Sequence, residues 1–247
     1  VVHTIHGHYL YGYKKPILSL FWLMNEALLG IFTETIICVG TNVKKELSKT
    51  RLFSSTKLLV IYPGISLTTK KRNDKGVNRE THNDSFTVGW MGRLEPVKQP
   101  EILIGIAKLL PNIQFIMVGS GTLFDRIFES FPPNIKYLSY CFPDEMWPNV
   151  NLAVSTSRNE GIPTALIEAT LYGVPCVAPN VGSIFDVVED GINGILVSRS
   201  TDELLAHAIS NIAANKDLYH SLRQGCAEVA KRFSVEAFYH LHENAYR

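Results

Sequence analysis

NLAVSTSRNEGIPTALIEATLYGVPCVAPNVGSIFDVVEDGINGILV, residues 151–197, decides the reading of this chain. Asn151 to Thr156 is apolar enough for a short buried strand. Ser157 to Ile162 is a polar loop containing one glycine. Pro163 to Tyr172 reads as a helix with Pro at its first position, where a missing N–H costs nothing. Gly173 stands at the C′ position that ends such a helix, and Pro175 follows it. Val174 to Ala178 is a second apolar run, short enough for a parallel strand. The order strand, loop, helix, strand puts Glu160 in the loop before the helix. Glu168 falls one to two turns inside it, eight residues on. A helix start offers free N–H groups and a positive dipole end, and both suit a phosphate.

The same alternation extends in both directions. Downstream of residue 85 the spacing predicts strands over Phe86–Met91, Ile113–Val118, Ile135–Leu138 and Gly194–Val197. Helices are predicted up to about Leu110, up to about Phe131, over Asp144–Trp147 and near Ile184–Glu189. Thr201–Ala214, Leu218–Arg232 and Val235–Tyr246 read as closing helices. Upstream, Val1–Ile5, Thr35–Val39 and Leu58–Ile61 read as strands. An apolar helix is expected over Ile17–Ile31 and a short one over Val43–Lys49. Residues 68–85, TTKKRNDKGVNRETHNDS, hold Val77 as their only aliphatic side chain and form a linker or loose loop. Strands alternating with helices imply an α/β fold, a parallel sheet with helices on both faces. Ligands of such sheets bind beyond the carboxyl ends of the strands. His6-Gly7-His8, Gly92-Arg93, Gly119-Ser120-Gly121 and Arg158–Ile162 each follow a predicted strand. The last three belong to one sheet and should share one edge.

Composition narrows the class. The 247 residues are 46% hydrophobic and 19% charged, enough apolar material for a core. The net charge of +1 gives no electrostatic case for nucleic acid. Cys38, Cys141, Cys176 and Cys226 are far apart, without a CxxC pair, and suggest neither zinc nor a disulfide framework. His3, His6 and His8 lack a carboxylate partner nearby, so no metal site is expected. The opening residues show no secretory leader pattern. Ile17–Ile31 is interrupted by Asn25 and Glu26 and is shorter than the roughly 20 residues of a spanning helix. Lys14, Lys15, Lys44 and Lys45 are either solvated or drawn to an anionic membrane surface; the solvated reading is the plainer one.

SRNEGIPTALIEATLYGVPCVA is similar to the phrase SRxEGxPxxLIEAxxxGxPxVA of the GT-B-fold retaining glycosyltransferases of family 4, the glycosyl transferases group 1. The likeness covers nearly all of the chain. GRLEPVK, residues 92–98, resembles the family's GRLxxxKG, with Gln99 in place of the last Gly. Taken alone, Arg93 and Lys98 are two surface cations or a diphosphate clamp, since Arg holds oxygens bidentately and Lys adds a point charge. The resemblance implies the clamp. Gly119-Ser120-Gly121 is a plain turn by itself and resembles the family's VGxG loop beside the donor nucleotide. HTIHGH resembles TxHG, whose His lies near the transferred sugar, and this implies that role for His6. For Glu160 the family implies contact with the donor sugar. For Glu168 it implies contact with the ribose hydroxyls, which a carboxylate can accept in pairs. Gly182 and Ser183 stand where the family often has a Gly pair, and Asp186 where it often has Glu.

The implied catalytic set is therefore His6, Glu160, Arg93 and Lys98. The implied donor-binding set is Gly92, Arg93, Lys98, Gly119, Gly121, Glu160, Gly161, Ile162, Pro163, Thr164 and Glu168. The resemblance further implies a GT-B arrangement. Residues 1–67 would be the C-terminal portion of an acceptor-side Rossmann-like domain, 68–85 a linker and 86–232 the nucleotide-sugar domain. Residues 233–247 would form a helix returning to the first domain. The opening strands of that first domain are not in the sequence, which reads as a fragment or a shortened relative. The expected activity is metal-independent, cofactor-free transfer of a sugar from a nucleotide-diphosphate sugar. Its acceptor would be a sugar, glycolipid or polysaccharide intermediate, and its place the cytoplasm or the inner membrane face. A non-catalytic nucleotide-sugar-binding remnant and a GT-B nucleotide-sugar epimerase are the alternatives.

Overall fold

The computed structural model describes residues 1–6, 24–25, 28–50, 53–54, 57–67 and 86–246. Gly7, His8, Lys14, Lys15, most of the Ile17–Ile31 segment and the 68–85 linker lie outside the described residues. Two parallel sheets carry the fold. The first holds β1 (Val2–Ile5), β2 (Thr35–Cys38) and β3 (Leu58–Val60), in the order β1-β2-β3. The second holds β4 (Thr87–Met91), β5 (Gln114–Val118), β6 (Ile135–Leu138), β7 (Leu152–Val154), β8 (Cys176–Pro179) and β9 (Gly194–Val197). Its order is β6-β5-β4-β7-β8-β9, parallel throughout. The chain builds outward from β4 to β6, then returns to the other side of β4 with β7. That reversal leaves a crevice beyond the strand ends of β4 and β7, where open α/β sheets take their ligands.

Side chains alternate between the two faces of a strand, and at β7, β8 and the middle of β4 the faces differ in size. Val88, Trp90, Phe115, Met117, Leu152, Val154 and Val177 point one way. They pack against Leu103 and Ile106 of α2 (Pro100–Leu109) and against Leu205, Ile209 and Ile212 of α6 (Asp202–Ala214). The other face carries Gly89, Ala153, Cys176 and Ala178. Against it lie Met146 of α4 (Pro143–Met146), Trp147, Leu166 and Ile167 of α5 (Thr164–Leu171), and Val229 of α7 (Lys216–Ala230). A side chain at Gly89 would meet Met146 and Trp147 at 2.8 and 3.2 Å, so the small residues let this layer approach closely. The first sheet buries Ile5, Ile36 and Cys38 with Val43 and Leu47 of α1 (Thr41–Thr50), and Ile162 from the loop after β7 packs against that cluster. The last helix, α8 (Val235–Tyr246), lies on the segment after β3. There Ile65 N–H donates to Phe233 O at 3.0 Å, and a side chain at Gly64 would meet Phe238.

Some predicted helices shrink. The one expected over Ile184–Glu189 is a single 3₁₀ turn, Ile184–Asp186, whose last side chain is engaged with the first sheet. The one expected to reach Phe131 is α3 (Phe124–Ile127) followed by a 3₁₀ turn at Phe128–Ser130. Pro132 disfavours helical backbone at the residue before it. Helix α5 begins at Thr164, one residue later than predicted, with Pro163 as its N-cap. It ends as the sequence predicts: Gly173 has φ +70°, and Val174 N–H returns to Ala169 O at 2.9 Å.

Two backbone positions near the crevice take positive φ, one at a glycine and one not. Gly119 has φ +144°, and a Cβ there would stand 1.8 Å from Gly92 O. Gly119→Ala is expected to cost on the order of 3 kcal/mol by urea denaturation, because both conformation and contact resist it. Gln99, at the N-cap of α2, has φ 47° and ψ 56°. A left-handed non-glycine costs about 1–2 kcal/mol, partly offset by the extra unfolded-state freedom of glycine. Gln99→Gly is therefore expected to raise stability by about 0.5–1 kcal/mol in the same assay.

Candidate functional site

The carboxyl ends of β4 and β7 and the start of α5 enclose a cavity of about 240 Å³. It is lined by Trp90, Met91, Gly92, Arg93 and Lys98 from the β4 side and by Val154, Ser155, Ser157 and Glu160 from the β7 side. Pro163, Thr164, Ala165, Leu166 and Glu168 of the α5 region and Trp147 complete it. The loops after β4 and β5 are laced together. Gly92 N–H donates to Val118 O at 3.0 Å, Leu94 N–H to Ser120 O at 2.9 Å and Leu123 N–H to Leu94 O at 3.0 Å. The Glu95 carboxylate accepts from the backbone and hydroxyl of Thr122 at 3.2 and 2.9 Å. The turn bearing Arg93 is thus held from below while Arg93 itself is exposed at the rim.

Two charged groups meet on the floor. Lys98 Nζ lies 2.5 Å from Glu160 Oε1, with the side chains 21% and 10% exposed. Removing two charges from water this far is repaid only by close geometry and further hydrogen bonds. Ser157 Oγ supplies one, donating to the same Glu160 oxygen at 2.6 Å. Ser155 Oγ donates in turn to Ser157 Oγ at 3.3 Å. The Lys98 backbone is held too: Thr156 Oγ1 donates to Lys98 O at 2.6 Å and accepts from Trp90 Nε1 at 2.9 Å. Across the cavity Glu168 is half-buried, and Trp147 Nε1 donates to its Oε2 at 3.3 Å. Burial raises the Glu168 carboxyl above its usual range, and the Trp147 hydrogen bond offsets this in part.

Of the residues singled out from the sequence, Gly92, Arg93, Lys98, Glu160, Pro163, Thr164 and Glu168 share this cavity. Gly119 and Gly121 lie behind its wall, pressed against Gly92 O and Leu94 O. Gly161 and Ile162 turn toward the first sheet. His6 stands exposed at the carboxyl end of β1 and does not line the cavity. Sequence reasoning missed Ser155, Ser157 and Trp147. Ser157 carried a signal, sitting three residues before Glu160 inside the quoted phrase. Trp147 is 21 residues from Glu168, and no local pattern links the two.

Residues 71–229 match the family model described as glycosyl transferases group 1. Among similar curated proteins is UDP-Gal:alpha-D-GlcNAc-diphosphoundecaprenol alpha-1,3-galactosyltransferase of Escherichia coli. It is 25% identical over 237 residues, covering 88% of this chain and 61% of the relative. The capsular polysaccharide biosynthesis glycosyltransferase CapM of Staphylococcus aureus is 23% identical over 264 residues, covering 99% of this chain and 69% of the relative. The chain thus spans 61% and 69% of the length of these two proteins. The structure of Anabaena Alr3699/HepE in complex with UDP and glucose superposes with a TM-score of 0.81 at 22% identity, over 98% of this chain and 70% of that one. The α/β architecture is of the GT-B type.

Glu168 generates a pH prediction. A carboxyl whose folded value is raised stabilises the protein fully below its unfolded value, and that contribution is lost as pH rises through the folded value. Glu168→Gln removes the cost of ionising a half-buried group. The variant is therefore expected to gain melting temperature over the parent at pH 8 and to gain little or nothing at pH 4. An equal shift at both pH values in a thermal denaturation series would count against this environment for Glu168.

Proposed function

The chain belongs to the glycosyl transferases group 1, and from that membership we propose that it binds a nucleotide-diphosphate sugar and serves a retaining transfer to an acceptor of polysaccharide or glycolipid synthesis. The observation that carries this reading is the cleft at the β4–β7 reversal. It sets Arg93, Lys98 and the N-terminus of α5 around one volume, with Glu160 and Glu168 on its walls. The UDP and UDP-glucose named in the HepE structures lend support to such a donor.

In this reading the departing diphosphate lies against Arg93, Lys98 and the free N–H groups at the start of α5. Preorganised positive charge aimed at a leaving group is often the largest single catalytic contribution. The anomeric carbon–oxygen bond to the diphosphate breaks, and the acceptor oxygen bonds to that carbon on the same face. The acceptor's proton passes to the leaving phosphate oxygen. Glu168 accepts from the ribose hydroxyls. Glu160 faces the sugar, giving up its contact with Lys98 as the phosphates arrive. We read residues 1–67 as part of an acceptor-side unit and α8 as the helix that returns to it. The diphosphoundecaprenol-linked acceptor named for the E. coli relative supports work at a membrane surface. No helix among the described residues is long and apolar enough to cross a membrane. A second reading, donor binding without transfer by this chain alone, is favoured by the exposed position of His6 away from the cavity.

Calorimetric titration with UDP, GDP and ADP tests the donor site, and one of the three is expected to bind. Arg93→Ala and Lys98→Ala should each weaken that diphosphate by about 1.5–3 kcal/mol while affecting the bare nucleoside far less. Equal losses for both ligands would remove the phosphates from this wall. Two cations and a helix N-terminus can balance a diphosphate without an ion, and no two Asp stand two apart in the sequence. Diphosphate affinity is therefore expected to survive excess EDTA within a factor of two. A tenfold loss restored by Mg²⁺ or Mn²⁺ would overturn that charge balance.

A further inference from the structure

The loop from Val181 to Asp186 leaves the six-stranded sheet and closes on the start of α1 in the other sheet. The first N–H groups of a helix have no partner inside it. Two of those in α1 find acceptors across the boundary between the sheets. Thr41 N–H donates to Asp186 Oδ2 at 2.6 Å, and Asn42 N–H donates to Ser183 Oγ at 3.2 Å. The Thr41 hydroxyl donates to Asp186 Oδ1 at 2.6 Å, and the Tyr62 hydroxyl donates to the same oxygen at 3.2 Å. Asp186 is only 5% exposed, so these three donors replace its water. A carboxylate at this end of a helix also meets the favourable end of its dipole. Burial and the neighbouring Asp186 charge push the Tyr62 hydroxyl up to about 12, which keeps it a donor at any working pH.

The other side of this loop holds the peptide of Glu160. Ser183 N–H donates to Glu160 O at 3.0 Å. Gly182 has φ +56°, and a Cβ there would stand 2.1 Å from the same oxygen. A Cβ at Gly40, just before α1, would meet Ser183 Oγ at 2.3 Å and Gly161 O at 2.8 Å. The start of α1, Asp186, Ser183 and the Glu160 peptide therefore form one continuous contact.

We propose that Asp186 is a positioning residue: by capping α1 from the opposite sheet it clamps the first unit onto Ser183 and so sets where Glu160 stands in the cleft. The sugar-facing role of Glu160 in this proposal rests on the donor-site reading above. The clamp makes the placement of that carboxylate depend on the docking of the first unit. Charge-assisted hydrogen bonds of this kind are short and about twice as strong as neutral ones. Losing the carboxylate would leave three donors without an acceptor.

The test reads amide hydrogen exchange in the full chain for the parent, Asp186→Asn, Thr41→Val and Asp186→Glu, each checked by thermal melting. The Ser183 amide reports on the Glu160 carbonyl, the Asn42 amide on the cap, and the β5 amides serve as controls. Both reporters are expected to exchange at least tenfold faster in Asp186→Asn, and faster in the same direction in Thr41→Val, with β5 unchanged. Asp186→Glu should return them to within threefold of the parent. In Asp186→Asn, UDP affinity should stay within twofold while UDP-glucose weakens fivefold or more, because only the sugar contact runs through Glu160. Unchanged Ser183 exchange in Asp186→Asn overturns the proposal, as does a parallel loss for UDP and UDP-glucose. If Asp186→Asn does not fold, the exchange and the two titrations in Thr41→Val decide. Where GDP or ADP is the nucleotide bound, it and its glucose conjugate replace UDP and UDP-glucose; a parent that binds none of the three diphosphates defeats the donor-site reading, and the exchange data still decide the clamp.

Discussion

A parallel sheet has to be covered on both faces, and the unequal size of those faces sets the distances in the rest of this molecule. Phe115, Met117, Trp90 and Leu152 fill the space beneath α2 and α6. On the reverse, Gly89, Ala153, Cys176 and Ala178 project almost nothing, so α5 and Trp147 settle close to the sheet. That closeness brings the indole of Trp147 within hydrogen-bonding distance of Glu168 and sets the start of α5 beside the ends of β4 and β7. Burying an aromatic ring over glycine and alanine gains apolar area at little entropic cost, since small side chains have little rotamer freedom to lose.

The electrostatics of the cleft follow from that geometry. Lys98 and Glu160 neutralise each other on the largely buried floor of the cleft, and Ser157 donates a further hydrogen bond to the carboxylate. Such a pair gives modest net stability, because the desolvation of both groups cancels much of the attraction. Its value lies in readiness: both side chains are already largely withdrawn from solvent and oriented. A ligand rich in anionic oxygen can take over Lys98, while one rich in hydroxyls can take over Glu160. Arg93 at the exposed rim adds a second cation with a planar fork of donors.

Among the described residues the two sheets meet through both apolar contacts and hydrogen bonds. Ile162, Ile65 and the Tyr62–Phe233 ring pair, with centroids 5.4 Å apart, contribute apolar contact. The hydrogen bonds centre on the Val181–Asp186 loop.

The sequence by itself determined the alternation of strands and helices, the grouping of three loops at one sheet edge, and the end of α5 at Gly173. These are local matters: side-chain period, the conformations open to glycine and proline, and the length of apolar runs. Residues 92–98 and 157–168 were legible as parts of one site because each follows a strand of the same parallel sheet. The tertiary structure alone decided the rest. It replaced the helix expected over Ile184–Glu189 with one turn, because Asp186 has partners 145 and 124 residues away that no window on the chain contains. It also gave Gln99 a physical meaning: the position demands a left-handed backbone, a requirement invisible until the turn into α2 is built. His6, Trp147 and Ser155 belong to the same class. Whether a side chain reaches a cavity depends on how sheets and helices dock, and docking is a sum over contacts between residues distant in sequence.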